Sequence, residues 1–273
     1  HGDTTTTFAA SLAAFYQQIP VGHVEAGLRT YEKYAPFPEE MNRQLTGVLA
    51  DYHFAPTEQA AMNLRAENKQ TPIIVTGNTV IDALKTTVSA SYTHPVLTRL
   101  EKSGRKLVLL TVHRRENHLQ LATIFEAIEQ LANDHPEIEI VYPVHPNPVV
   151  LEAAARLEHH PRIQLIEPLD VFDFHNLAAR ASFILTDSGG IQEEAPSLGV
   201  PVLVLRETTE RPEGVEAGTL KLVGTHPEHI YAMSHQLLTD EIFYQSMAQA
   251  ANPYGDGQAA ERIVDAIMSE VPV

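Results

Sequence analysis

Lys106 to Val112 reads KLVLLTV, a nearly unbroken apolar run of strand length that leads directly into the polar group His113-Arg114-Arg115-Glu116-Asn117. A strand that is apolar on both faces must be covered on both faces, which points to a parallel sheet with helices on either side. Similar short runs recur at Ile138 to Tyr142, Ser182 to Leu185 and Val202 to Leu205. Between them lie stretches with helical spacing, among them Leu119 to Ala132, Val149 to Leu157 and Pro227 to Leu238. This alternation predicts an α/β fold built on parallel sheets. Ser91 to Arg105 is polar and only weakly periodic, and no element is assigned to it.

In open parallel sheets, ligands gather at the carboxyl ends of the strands. The polar residues that follow each apolar run are therefore the candidate site residues. His113 follows the first run, and an imidazole with an ordinary pKa near ~6.5 suits proton transfer at neutral pH. His145 follows Ile138 to Tyr142 in the proline-rich loop PVHPNP, where a structural turn explains it equally well. Asp187-Ser188-Gly189-Gly190 follows Ser182 to Leu185 and opens a helix-like segment, Ile191 to Leu198. Strand, glycine turn and helix N-terminus together suit an anion, because backbone N–H groups and the helix dipole point at it. Glu193 and Glu194 lie in the first turn, placed to accept from sugar hydroxyls, and Arg206 and Arg211 follow Val202 to Leu205.

Towards the amino end, Asp3 precedes Thr4 to Thr7 and a helical stretch, which spacing alone reads as a helix cap. Glu25 ends a short strand, Pro20 to Val24, and an ion pair with Arg29 would account for it. Glu39 and Arg43 in YAPFPEEMNR are four apart and share a helix face, the spacing of an ordinary surface pair worth ~0.3–0.5 kcal/mol. Phe174 lies among apolar residues at helical spacing and reads as core, and His175 receives no assignment.

The net charge of −16 argues against a nucleic-acid surface, so an anionic ligand needs a locally positive site, for which Arg114-Arg115 and Arg206 with Arg211 are the candidates. There are no cysteines, hence no disulfide, thiolate nucleophile or cysteine metal site. No apolar run approaches the ~20 residues that span a bilayer. GxGxxG and GxxxxGK[ST] are both missing, so neither a nicotinamide Rossmann site nor a P-loop is supported.

The stretch TDSGGIQEEAPSLGVPVLVLRETTERPEG, Thr186 to Gly214, resembles the UDP-binding segment of the non-hydrolysing bacterial UDP-N-acetylglucosamine 2-epimerases. HGD at the start, HVEAGLRT, PEEMNR and HRREN resemble the same family, and the likeness runs the length of the chain. It implies two Rossmann-like domains facing a cleft, the glycosyltransferase-B arrangement. Residues 1–77 with the last helix, 257–273, would form the amino-terminal domain, and residues 78–256 the UDP-binding one. The chain opens on a polar turn with no strand before it, so the first domain is expected to be incomplete and His1 to mark a cut.

The resemblance makes Asp3, Glu25, Glu39 and His113 the catalytic acid–base groups. It places Arg43, Phe174, Ser188, Gly189, Gly190, Glu194 and Arg211 on the UDP-sugar, with Phe174 on the uracil and Glu194 on the ribose. Arg114 and His145 resemble an activator site. The implied activity interconverts UDP-N-acetylglucosamine and UDP-N-acetylmannosamine through a 2-acetamidoglucal. The implied setting is a cytoplasmic homodimer supplying surface polysaccharide, without metal or redox cofactor. A glycosyltransferase or hydrolysing 2-epimerase of the same fold, and an inactive UDP-binding fragment, are the alternatives.

Overall fold

Every strand pairing is parallel, as the doubly apolar runs require. The structure is a computed structural model and describes residues 1–270, so that 271–273, the end of the expected last segment, lie outside the described residues. The described chain divides into two compact units, one formed by residues 1–85 with those from Pro253 onward, the other by Thr86–Asn252.

The first unit contains α1 (Thr5–Tyr16), β1 (Gly22–Val24), α2 (Glu39–Leu49), β2 (Tyr52–Ala55), α3 (Glu58–Ala66) and β3 (Ile73–Val75). α4 (Thr79–Thr87) begins in it and ends in the second unit. The second unit continues with α5 (Pro95–Ser103), β4 (Lys106–Thr111), α6 (Leu121–Asp134), β5 (Ile138–Pro143), α7 (Pro148–Ala154), β6 (Ile163–Ile166) and α8 (Val171–Ala178). It is completed by β7 (Ala181–Thr186), α9 (Ile191–Ser197), β8 (Val202–Val204), α10 (Pro212–Ala217), β9 (Leu220–Leu222), α11 (Pro227–Thr239) and α12 (Glu241–Ala248). The last helix, α13 (Ala259–Glu270), belongs to the first unit. No helix among the described residues is long and apolar enough to cross a membrane.

The second unit's sheet has the order β6-β5-β4-β7-β8-β9. The chain therefore builds outward from β4 on one side, returns, and builds outward from β7 on the other. Strand order reverses between β4 and β7, the switch point where such sheets leave a crevice at the carboxyl ends. The alternation of side chains along β4 fills two cores. Val108 and Leu110 pack with Ile124, Phe125 and Ile128 of α6, while Leu107 and Leu109 pack with Leu100 of α5 and Leu177 of α8.

α5 occupies the stretch that the sequence left unassigned. Its apolar face, Val96, Leu97 and Leu100, has helical spacing but spans little more than one turn, and its ends are well specified. The His94 ring accepts from Val96 N–H, Pro95 opens the first turn, and Gly104 closes the helix in the left-handed conformation.

The first unit's sheet is β1-β2-β3. His23 and His53 are direct cross-strand neighbours in it, and both are buried. Burial pushes each pKa down to about 4. His23 Nε2 meets Gly2 O at 2.8 Å, whereas neither ring nitrogen of His53 has a hydrogen-bond partner. Below about pH 6.5 the unfolded chain takes up protons that the folded pair refuses. Stability held above that pH is therefore lost as the pH falls towards 4, by on the order of a few kcal/mol for the pair. His53→Leu should match or exceed the parent in stability at pH 7.5 and lose about half of this acid dependence. Urea midpoints at pH 7.5 and 5.0 measure both, and an unchanged pH dependence would discard this account.

Candidate functional site

The carboxyl ends of β4 and β7 carry the principal site, and it lies wholly within the second unit. A pocket of about 330 Å³ is lined by His113, His145, Phe174, Ser188, Gly190 and Glu194, all expected from the sequence, and by Thr111, Leu169, Asp170 and His175 among others. Phe174 belongs to α8, not to a loop. It packs against the apolar core from that helix and also lines the pocket.

Asp187 joins the two strand ends. Its carboxylate is fully buried and accepts from the backbone N–H groups of His113 (3.0 Å) and Arg114 (2.8 Å) and from Asn117 Nδ2 (3.1 Å). Arg114 Nε donates back to the Asp187 carbonyl at 2.8 Å. The His113 and His145 rings lie parallel, 5.1 Å apart. Burial holds the His113 pKa below its usual value, and Asp187 opposes that shift. Ser188 gives its N–H to Thr186 Oγ1 at 2.9 Å, so it can meet a ligand through its hydroxyl but not through its backbone.

Sequence reasoning did not single out Asp187 or His175. Asp187 was visible only as a turn residue, because the donors it serves lie 70 to 74 positions earlier. His175 is buried, with Nδ1 at 2.7 Å from Thr87 Oγ1 and Nε2 at 3.4 Å from Glu194 Oε2. Both His175 and Glu194 line the pocket.

Arg206 and Arg211, two of the four arginines expected to make the site locally positive, are both paired with carboxylates. Arg206 is buried between Glu116 (2.8 Å) and Glu210 (2.9 Å). Arg211 is buried between Glu193 (2.5 Å) and Glu210 (2.5 Å). Two guanidiniums thus meet three carboxylates in one continuous chain. Glu193 is consequently committed to Arg211 and does not face a ribose; Glu194 alone of that pair lines the pocket. Arg211 lies behind Gly189, where its guanidinium occupies the space that a Cβ would need.

The first unit gathers a second group. Arg43 is buried and pairs with Asp3 at 2.9 Å and with Glu40 at 3.7 Å, not with Glu39. The surface pair suggested by their spacing is therefore absent. Asp3 is not the helix cap either, since Thr4 Oγ1 accepts from Thr7 N–H. Arg29 forms its fork with Glu67, at 2.6 and 3.0 Å, and leaves Glu25 to other contacts. Glu25 accepts from Asn78 Nδ2 at 3.2 Å and sits at the end of β1 with φ +66°. Glu39 starts α2, half-buried. Among the described residues no cluster of three or more potential ligands could hold a metal.

Residues 1–268 match the family model described as UDP-N-acetylglucosamine 2-epimerase. The chain is 62% identical over 271 residues to the UDP-N-acetylglucosamine 2-epimerase of Bacillus subtilis, an alignment covering 98% of this chain and 71% of that protein. Among solved structures, the MnaA–UDP complex of S. aureus superposes with a TM-score of 0.96 at 56% identity, covering 100% of this chain and 76% of that one. The UDP-GlcNAc 2-epimerase of Neisseria meningitidis bound to UDP-GlcNAc gives a TM-score of 0.93 at 49% identity, covering 99% and 75%. With two parallel α/β units, a switch-point pocket and this degree of likeness, the chain belongs to the non-hydrolysing UDP-N-acetylglucosamine 2-epimerase family of isomerases.

Proposed function

We propose that this chain interconverts UDP-N-acetylglucosamine and UDP-N-acetylmannosamine. The observation that carries the reading is the pocket at the β4/β7 switch point, in a chain that superposes on relatives solved with UDP and with UDP-GlcNAc. In this reading Phe174 packs on the uracil and Glu194, backed by His175, accepts from the ribose hydroxyls. Ser188, Gly189 and Gly190 take the diphosphate, which competes with Glu210 for Arg211. The C2 hydrogen of the sugar is not acidic by itself, because no carbonyl adjoins it. Breaking the C1–O bond first, with UDP leaving, makes an oxocarbenium-like sugar whose C2 proton can be removed. Removal gives a 2-acetamidoglucal. A proton then returns to the opposite face of C2, and UDP adds back at C1. Two faces require two acid–base groups. Asp3, Glu25, Glu39 and His113 are the groups proposed, with Arg43 fixing Asp3. The family resemblance extends the proposal to an activator role for Arg114 and His145, and to a cytoplasmic homodimer that serves surface polysaccharide synthesis.

Proton NMR of UDP-N-acetylglucosamine incubated with the chain in D2O tests the reaction. UDP-N-acetylmannosamine carrying deuterium at C2 is expected. Product with protium at C2, or line broadening of the uracil signals without product, would sink the elimination route.

Glu194→Gln should weaken UDP binding about tenfold, the loss of a charge-assisted hydrogen bond of ~1.5–3 kcal/mol. It should also reduce the preference for UDP over 2′-deoxy-UDP. Calorimetric titration with both nucleotides checks this, and an unchanged preference would remove Glu194 from the ribose.

A further inference from the structure

We propose that Asp187 is a positioning residue for the reaction: its buried carboxylate seats the His113 imidazole, fixes its proton on Nδ1 and leaves Nε2 to the ligand. The step that His113 serves rests on the epimerase reading, whereas the seating rests on geometry alone.

Asp187 Oδ1 lies 3.6 Å from His113 Nδ1, beyond a hydrogen bond but within reach of an ion pair. The other groups meeting the carboxylate are all N–H donors: His113 N at 3.2 and 3.0 Å from its two oxygens, Arg114 N at 2.8 Å and Asn117 Nδ2 at 3.1 Å. Such a cage accepts an ionised carboxylate, which only accepts, and disfavours an amide, which must turn an NH₂ towards one of those donors. The same bonds fix the backbone on which His113 is mounted. The ring cannot easily swing, because His145 stacks on it at 5.1 Å with 8° between the planes. A carboxylate at one edge and a ring on one face favour the orientation of the imidazole in which Nδ1 faces negative charge.

The charged and titratable groups facing His113 come from three strand ends. Asp187 follows β7, His145 follows β5, and Arg114 and His118 share the segment after β4. The last three disfavour a proton on His113, as does burial, and Asp187 favours it. A pure staple between β4 and β7 would give the same backbone bonds without governing the ring's proton, so the readout must be the ring.

The first experiment uses the wild-type chain and ¹⁵N NMR of its imidazoles, with the His113 signals identified by their loss in His113→Gln. The neutral Nδ1–H tautomer is expected, and an Nε2–H tautomer overturns the proposal. The second uses Asp187→Asn. Its kcat is expected to fall by about 10²- to 10³-fold, with UDP affinity within about threefold of the parent. Its His113 should titrate at least about half a pH unit lower, since the favourable charge is gone. A titration coincident with the parent, or loss of UDP binding in step with activity, marks Asp187 as architecture only and overturns the proposal. If Asp187→Asn does not fold, the wild-type tautomer decides. Failure of the epimerase reading shows separately, as a wild-type chain that has the Nδ1–H tautomer but exchanges no deuterium.

Discussion

Glu25→Gln is expected to lower kcat by about 10³-fold while leaving UDP affinity within about twofold, the signature of a lost proton-transfer group. Glutamine keeps the size of the side chain and can still accept from Asn78 Nδ2, but it cannot take or give a proton. The surroundings of Glu25 support the proposal. Its backbone lies in the left-handed region, φ +66°, a conformation that costs a residue with a Cβ on the order of 1–2 kcal/mol. Gly2, itself at φ +72°, leaves room for it, because a Cβ there would approach Glu25 Oε2 to 3.1 Å. The nearby arginine that would have explained it as an ion pair is bonded to Glu67. Steady-state kinetics, UDP calorimetry and a thermal melt decide together. A fall in kcat of less than tenfold with a lowered Tm would return Glu25 to a structural role.

Gly189→Ala is expected to damage nucleotide binding and stability at once. The new Cβ would lie 2.8 Å from Glu210 Oε1 and 2.9 Å from Arg211 Cζ, and against Arg211 Nη1. A flexible arginine would simply move aside. This one is buried and fixed at 2.5 Å to both Glu193 and Glu210, so moving it separates buried opposite charges. Breaking such a pair costs about 3 kcal/mol or more. At this chain length that corresponds to a Tm lowered by roughly 5 °C or more. UDP affinity should fall at least about thirtyfold, since both the glycine turn and Arg211 are displaced from the diphosphate. Calorimetric melts and UDP titration measure the two effects. A variant with the parent Tm would show that the charge chain yields more easily than its geometry suggests.

The parts legible in the sequence were those written locally. KLVLLTV reads as a doubly covered strand because its own residues fill both cores. His113, His145 and Ser188 were found because strand ends are where parallel sheets bind. What stayed hidden depends on partners far away in the chain. Arg43 selects Asp3, 40 positions back, over Glu39, four positions back, and helix spacing can propose only the latter. Arg206 reaches Glu116 across 90 positions, so two of the four expected cations sit in a neutralised chain of charges. α5 was missed for the opposite reason. Its ends are strongly specified, but its three apolar residues, although at helical spacing, span little more than one turn.

The adjacency of β4 and β7 has a kinetic consequence. Leu107 pairs beside Ala181, although β5 and β6 are made in between. The halves β4–β6 and β7–β9 can each assemble from near neighbours, whereas the seam between them must close a long loop and form late. The pocket is that seam. A nascent chain still tethered to the ribosome before residue 181 has emerged possesses half of this sheet and lacks the pocket. A ligand that binds this pocket would therefore stabilise only the finished unit and give no help to the half-sheet that precedes it.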